Sequence, residues 1–256
     1  MVRTSTIFRM MKHKGSELLE TALPFRTTTI GGLKYYYRRS DDPPQDPKDF
    51  AGGGREFHDK AIGLTGEVAL DVGANIGSYA LPLAGKFKSV IAFEPSPKEF
   101  QTLEKNVAAN LLKNVRTEQV ALSDFTGEVP LYVHRGGSSS LNSKHYGLRY
   151  RNSIMVRVMR LDDVPSILGK IDFLKIDAEG AELAILRGGM KVIREFAPNI
   201  GAEIHCQSEI MGGKCMCATC VFLRGNGYGL ETIGGLMTPT QVHWVWAVPW
   251  GSGEKH

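Results

Sequence analysis

The sequence predicts an α/β fold with a largely parallel sheet. Three observations carry this expectation. From residue 67 onward, short apolar runs alternate with helix-periodic segments. The carboxyl end of each run is polar, which is where open α/β sheets receive their ligands. A glycine turn, "LDVGANIG" at residues 70–77, follows the first run directly.

The elements can be justified in order. "EVALDV" reads as a buried strand, Ser78 to Gly85 as a short helix and "SVIAFE" as the second strand. "SPKEFQTLEKNVAANLL" reads as a helix with Ser96 as its cap and Pro97 at its first position, where a missing N–H is not needed. "VRTEQVAL" is the third strand, "IDFLKID" the fourth, "AELAILRGGMKVIREF" a single following helix and "NIGAEIH" the fifth strand. Residues 125–165 interrupt this alternation with "EVPLYVH", "GGSSSLNS" and "IMVRVMRL". They predict extra β-structure around a Gly/Ser loop, the kind of insertion that builds a substrate wall. "YGLETIGG" and "QVHWVWAVPW" predict a closing antiparallel hairpin, with Trp244 and Trp246 on one strand face as core residues.

Residues 1–55 read as an extension of the main domain at 56–250. It holds a helical segment at "SELLETAL", a hairpin at "TTTIGGLKYYYRRS" and a linker, "DDPPQDPKDFAGGG". Arg3, Arg9, Lys12 and Lys14 lie among Ile7, Phe8, Met10 and Met11, a pattern that admits contact with an anionic membrane surface. Amphipathic stretches more often pack on their own domain, and that reading is preferred.

Composition narrows the function. The 256 residues are 42% apolar, ordinary for a globular fold, and include no apolar run of membrane length and no signal-peptide pattern. A cytoplasmic protein is expected. The 31 basic and 27 acidic residues are spread along the chain, and a net charge of +4 is too small and diffuse to argue for nucleic acid. A small-molecule or glycan partner is favoured. Cys206, Cys215, Cys217 and Cys220 fall in one window, "HCQSEIMGGKCMCATC", beside His205. That clustering argues against disulfide staples and for a reducing compartment. Zinc ligation is conceivable, but Cys-x-Cys is a less usual ligand hairpin than Cys-x-x-Cys, and reduced thiols are the favoured reading.

The strand ends carry the chemistry: Asp71, Gly73, Asn75 and Gly77 after strand one, Glu94 after strand two, Asp177 and Glu179 after strand four, Glu203 and His205 after strand five. Gly73 and Gly77 permit a sharp turn and close approach to a ligand. Asn75 stands where a dinucleotide fingerprint needs its middle glycine, which weakens a pyrophosphate reading. Asp71 would repel a phosphate and attract an amino group, and Glu94 is placed to grip two ribose hydroxyls. Together these suit a nucleoside with an amino-acid tail, which describes S-adenosylmethionine.

The motifs "LDVGANIG", "AFEPSP", "VALSD" and "IDFLKIDAEGAELAILRGG" resemble, in order and spacing, those of the FkbM family of S-adenosylmethionine-dependent methyltransferases, over about residues 56–206. The resemblance implies a class I, Rossmann-like methyltransferase fold with a seven-stranded, mostly parallel sheet. It also implies O-methylation of a sugar, polyketide or related metabolite. Position by position, it places the methionine end of the cofactor near Asp71, Gly73, Asn75 and Gly77, the ribose on Glu94 and the adenine by "VALSD". Ala121 stands where many relatives have an acid, which leaves the adenine amino group to a backbone carbonyl, Ser123 or Asp124.

A hydroxyl acceptor needs a general base within reach. Asp177 is the first candidate, followed by Glu203 and His205; His205 titrates near neutrality and could take the proton while Asp177 orients the acceptor. A divalent ion held by these three is an alternative that the spacing does not require. Glu182 reads as an acid favoured by the start of its helix, and Lys175, inside a strand, expects an acidic partner. Other function classes are weighed against this. A nicotinamide oxidoreductase is disfavoured by the missing middle glycine. A base methyltransferase is disfavoured by "IDAE" where Asn-Pro-Pro-Tyr or Asp-Pro-Pro-Tyr would follow strand four. An inactive nucleoside-binding or assembly module of the same fold stays open.

Overall fold

The expected alternation is realised as a doubly wound sheet. The computed structural model describes residues 24–46, 49, 53–133, 139–141, 152–164, 169–205, 210–211, 214–234 and 242–251. The segment "SELLETAL", the basic amino-terminal stretch, Ser138 and Cys206 lie outside these. A hairpin of β1 (Phe25–Ile30) and β2 (Leu33–Arg38) leads to α1 (Gly54–Gly63). Then come β3 (Gly66–Val72), α2 (Ala80–Leu83), β4 (Phe87–Phe93), α3 (Pro97–Ala109) and β5 (Val115–Glu118). The insertion follows as β6 (Ala121–Ser123), β7 (Gly127–Val133), β8 (Ser139–Ser140) and β9 (Asn152–Arg160). The chain continues through β10 (Ile171–Asp177), α4 (Glu182–Gly188), α5 (Met190–Phe196) and β11 (Asn199–Ile204). It ends with β12 (Ile210–Met211), β13 (Lys214–Cys215), α6 (Ala218–Gly225), β14 (Tyr228–Ile233) and β15 (His243–Pro249).

The main sheet has seven strands in the order β14-β15-β11-β10-β3-β4-β5. Strands β3, β4, β5, β10 and β11 pair in parallel, and β15 and β14 close the edge antiparallel. Central parallel strands are covered on both faces and so read as continuous apolar runs. On β3, Val68, Leu70 and Val72 enter one core layer with Ile91, Leu174 and Ile176, while Ala69 enters the other with Val90 and Phe173. The aromatic side is tightly fitted. Phe57 lies 4.4 Å from Trp244 and 5.8 Å from Trp246, centroid to centroid, and a Cβ at Gly201 would fall 2.7 Å from the Phe57 ring. Trp244 and Trp246 are therefore core residues, as expected, and truncating Phe57 to Ala is expected to cost about 3–5 kcal/mol. No described helix is long and apolar enough to cross a membrane.

Three expectations are corrected. "VRTEQVAL" is two strands: β5 lies on the main sheet's edge, whereas β6 leaves it to pair in parallel with β9 in a four-stranded sheet of order β6-β9-β7-β8. The helix after strand four is broken at Gly188 and Gly189. A Cβ at Gly188 would sit 1.9 Å from the Ser123 carbonyl oxygen and one at Gly189 2.7 Å from Leu161, so both glycines are required by close packing on the inserted sheet. Finally, Ser96 occupies the cap position of α3, but its hydroxyl donates to the Glu99 carboxylate instead of accepting from the helix backbone.

The amino-terminal hairpin is fastened to α3 by two asparagines that imitate a neighbouring strand. Asn106 Oδ1 accepts from Tyr36 N at 2.6 Å while its Nδ2 donates to Tyr36 O at 3.2 Å and to Ile76 O at 2.8 Å. Asn110 repeats the exchange with Lys34, at 2.8 and 2.7 Å.

Candidate functional site

The glycine turn after β3 is a run of left-handed backbone. Gly73, Asn75 and Gly77 have φ of 75, 49 and 98°. Asparagine is among the few residues with a side chain that tolerate this region, which accounts for Asn75 in a turn otherwise built on glycine. A Cβ at Gly73 would fall 1.7 Å from the Asp177 carbonyl oxygen, so this glycine brings the turn against the end of β10. Gly77 serves packing: a Cβ there would meet Leu81 at 2.3 Å and Leu103 at 2.9 Å.

Asp71 does not stand open to an amino group as expected. Its side chain is fully buried, and the parallel register of β3 and β10 sets it beside Lys175, whose Nζ lies 3.1 Å from Asp71 Oδ1 and donates to Gly73 O at 3.0 Å. Burial pulls the Lys175 pKa down, but Asp71 and Asp177 more than offset that, and the ammonium stays charged. Lys175 thus finds the acidic partner its position demands. Asp71 is a support for the turn.

Glu94 is buried at the end of β4. Its Oε2 accepts from Asn75 N at 2.8 Å and its Oε1 from Ser96 N at 2.9 Å, which leaves one lone pair on each oxygen for a ligand. Burial pushes its pKa up to about 7, against the pull of those two N–H groups. It borders a cavity of about 140 Å³ with apolar walls from Val120, Leu122, Leu131 and Ile185. Ala121 lines this cavity. Ser123 and Asp124 do not: Ser123 borders an adjacent depression, and its hydroxyl donates to Asp124 Oδ1 at 3.4 Å. The chain turns into β6 here, so the polar side chains of "VALSD" are carried away from the space that Glu94 faces.

A second cavity, of about 540 Å³, shares Gly73, Asn75 and Asp177 with the first. Its far wall contains Tyr37, Asp41, Asp42, Pro43 and Gln45 from the amino-terminal segment, and Glu203 and Trp244 from the sheet. The linker is therefore a wall of the site.

The three expected catalytic residues converge. His205 Nε2 lies 3.9 Å from Asp177 Oδ1, 4.0 Å from Glu203 Oε1 and 3.6 Å from Glu179 Oε2, while Nδ1 lies 2.9 Å from Glu182 Oε1. Burial alone pulls the imidazole pKa down, but the Glu182 hydrogen bond and the Asp177 carboxylate raise it to about 9. That shift favours the cation at neutral pH, which weighs against the expected role of His205 as base. Glu203 moves the other way: burial and the nearby Asp177 push it up to about 8, so it holds a proton at neutrality. The Asp177 side chain is 27% exposed, is 3.7 Å from Lys175 Nζ and is the acid shared by both cavities. Asp177, Glu203 and His205 each offer a donor atom within 4.8 Å of the others, the basis of the divalent-ion alternative. The imidazolium already supplies the positive charge those carboxylates require.

A family model described as the methyltransferase FkbM domain matches residues 71–218. The chain belongs to this family. It is 30% identical over 167 residues to methyltransferase sdnD of Sordaria araneosa, covering 52% of this chain and 64% of that one. It is also 30% identical over 145 residues to the 2-O-methyltransferase NoeI of Sinorhizobium fredii, covering 49% and 58%. The alignment thus spans less than two thirds of the length of these curated relatives. Among solved structures, M. jannaschii TYW2 in complex with AdoMet superposes with a TM-score of 0.50 at 17% identity, covering 88% of this chain and 85% of that one, a likeness of fold.

One residue of the FkbM domain's site escapes sequence reasoning, and a second, Glu179, is recognised only as a strand-end acid. Glu182, read as a helix-start acid, is buried and fixes the His205 ring while also accepting from Gly180 N at 2.9 Å. Glu179 adopts φ of 49° ahead of Gly180 at φ 99°. Left-handed backbone at a residue with a long side chain is strain of the kind that clusters at functional sites. The spacing of "DAEGAE" signals acids at the end of β10, but not which one turns inward.

Proposed function

We propose that this FkbM domain transfers a methyl group from S-adenosylmethionine to a hydroxyl of a small molecule or glycan. One observation carries the reading: a Glu94-lined cavity with Val120, Leu122, Leu131 and Ile185 in its wall and a larger cavity share Gly73, Asn75 and Asp177. The donor set fits the cofactor, with apolar side chains in the cavity wall for the base, free Glu94 lone pairs for the ribose hydroxyls and the turn at Gly73 and Asn75 bordering both cavities. When bound, the cofactor supplies a methyl group on a sulfonium already activated by its charge. The protein's work is then mainly to position the acceptor and remove its proton.

Asp177 would accept the hydroxyl proton of an acceptor that takes the methyl group, the sulfonium's carbon–sulfur bond breaking to leave a neutral thioether. Lys175 Nζ lies 3.7 Å and His205 Nε2 3.9 Å from the Asp177 carboxylate. Glu203, protonated at neutrality, donates a hydrogen bond to a second acceptor oxygen. Asp41, Asp42 and Glu99 in the larger cavity's wall disfavour phosphate and suit an uncharged polyol, which favours a sugar or natural product over nucleic acid. Tyr37 and residues 41–45 act in this reading as part of the acceptor wall. Cys215, Cys217 and Cys220 form no disulfide, which supports a cytoplasmic address.

Calorimetric titration with S-adenosylhomocysteine tests the cofactor site without knowledge of the acceptor. One-to-one binding is expected, weakened in Glu94→Ala by about 1.5–3 kcal/mol as a charged acceptor is lost. Folded protein that shows no binding overturns the assignment.

A further inference from the structure

Away from the cavities, three thiols and one imidazole converge on a single buried point. Cys215 ends β13, Cys217 occupies the position before α6, Cys220 lies in the first turn of α6, and His243 opens β15. All four are buried, and their Sγ and Nε2 atoms lie within 4.8 Å of one another. The three sulfurs stand 3.4, 3.8 and 3.7 Å from the same His243 Nε2. Hydrogen bonding does not account for this, because an imidazole nitrogen has one lone pair or one proton to offer and cannot satisfy three thiols at once. A tetrahedral ion accounts for it directly: with bonds of about 2.3 Å to sulfur and 2.05 Å to nitrogen, the sulfur–nitrogen edges are roughly 3.6 Å.

We propose that Cys215, Cys217, Cys220 and His243 form a zinc site. Three thiolates with one imidazole in a tetrahedral arrangement match zinc's preference, and four protein ligands leave no open position, so the role is structural. The sequence favours reduced thiols because Cys-x-Cys is a less usual ligand hairpin, and it offers only His205 beside the cysteines as a nitrogen ligand. The fold sends His205 to the acidic cluster and supplies His243 from 23 residues beyond Cys220 as the fourth ligand. The ion ties the excursion between β11 and α6 to β15. In the β11–β15 register His243 pairs with Ile204, the residue before His205. The staple therefore braces the strand end on which the acceptor site is built. Arg224 Nη1, donating to Cys215 O at 2.5 Å, holds the same turn from the other side.

The test is elemental analysis of the untagged full chain purified without chelator from zinc-supplemented cells. About one equivalent of zinc per chain is expected, falling to below about a tenth in Cys217→Ser and in His243→Ala, and retained in Asp177→Asn. Should the cysteine variants fail to fold, the wild-type protein still decides. Cobalt exchanged into it is expected to give thiolate-to-cobalt charge-transfer absorption and the strong visible bands of a tetrahedral centre, and a mercurial thiol reagent is expected to release the zinc. Folded wild-type protein without zinc and without cobalt–thiolate absorption overturns the site. So does zinc that is lost in Asp177→Asn but kept in Cys217→Ser, which would place the ion in the acidic cluster.

Discussion

Two imidazoles sit on neighbouring strands and meet opposite surroundings. The pairing of Ile204 with His243 sets His205 and His243 close together across the β11–β15 ladder. His205 faces the carboxylates of Asp177, Glu179, Glu182 and Glu203, and His243 faces three sulfurs. Oxygen anions beside an imidazole stabilise its proton, and soft sulfur donors beside one favour a transition-metal ion. The first cluster borders a cavity and is proposed to handle protons; the second is buried and is proposed to hold structure. Neighbours, not residue type, divide the two roles.

The largest expected effect separates the clusters by function. Asp177→Asn removes the proton acceptor between the cavities and is expected to lower turnover about 10²–10⁴-fold, typical of a general base, with S-adenosylhomocysteine affinity kept within about twofold. Transfer of labelled methyl to an acceptor found by screening measures it. Near-normal turnover sinks the base assignment. Cys217→Ser is expected to do the reverse, lowering the melting temperature while product affinity stays within about twofold. If affinity and melting fall together there, the two clusters are one cooperative unit and the contrast breaks.

Next in size is the support of the His205 ring. Glu182→Ala leaves a buried imidazolium without its nearest partner, and breaking such a pair typically costs about 3–5 kcal/mol, readable by urea unfolding. Glu182→Gln can keep one hydrogen bond to the ring without the charge. It is expected to cost less and to move the His205 titration, followed by NMR, toward neutrality. A His205 pKa unchanged in Glu182→Gln would show that the other acids alone hold the proton.

What the sequence shows of this molecule is what local pattern can carry. The strand order's ingredients, the closing hairpin, the glycine turn and Glu94 each lie within a short window, and strand-end position places Asp177, Glu203 and His205 together. What stays hidden depends on distant partners. Asp71 reads as a ligand contact until Lys175, more than a hundred residues on, is brought beside it by strand register. "VRTEQVAL" reads as one strand because nothing within it announces β9, which captures its second half. The Gly188–Gly189 break is set by the Ser123 carbonyl and Leu161. His205 reads as neutral because its acids come from β10, α4 and β11. His243 sits in a tryptophan-rich strand that draws attention to packing.

The smallest expected effect is a pH dependence, and its sign follows from the raised pKa of His205. The folded value of about 9 lies above the ordinary 6.5. Its interactions therefore contribute stability in full below pH 6.5, and that contribution is lost as pH rises through 9. The span corresponds to about 3 kcal/mol as an upper figure, since one pKa unit is about 1.4 kcal/mol. Glu94 and Glu203, pushed up to about 7 and 8 from 4.5, act in the same direction, because the folded protein holds their protons after the unfolded chain has released them. The melting temperature is thus expected to fall between mildly acidic pH and pH 9. His205→Gln should flatten the part of that fall above pH 6.5, whereas Cys217→Ser, which removes a site whose thiols must lose protons to bind the ion, should shift the curve down and steepen the fall there. A slope that survives in His205→Gln and disappears in Cys217→Ser would transfer the alkaline sensitivity from the oxygen-ringed imidazole to the sulfur-ringed one.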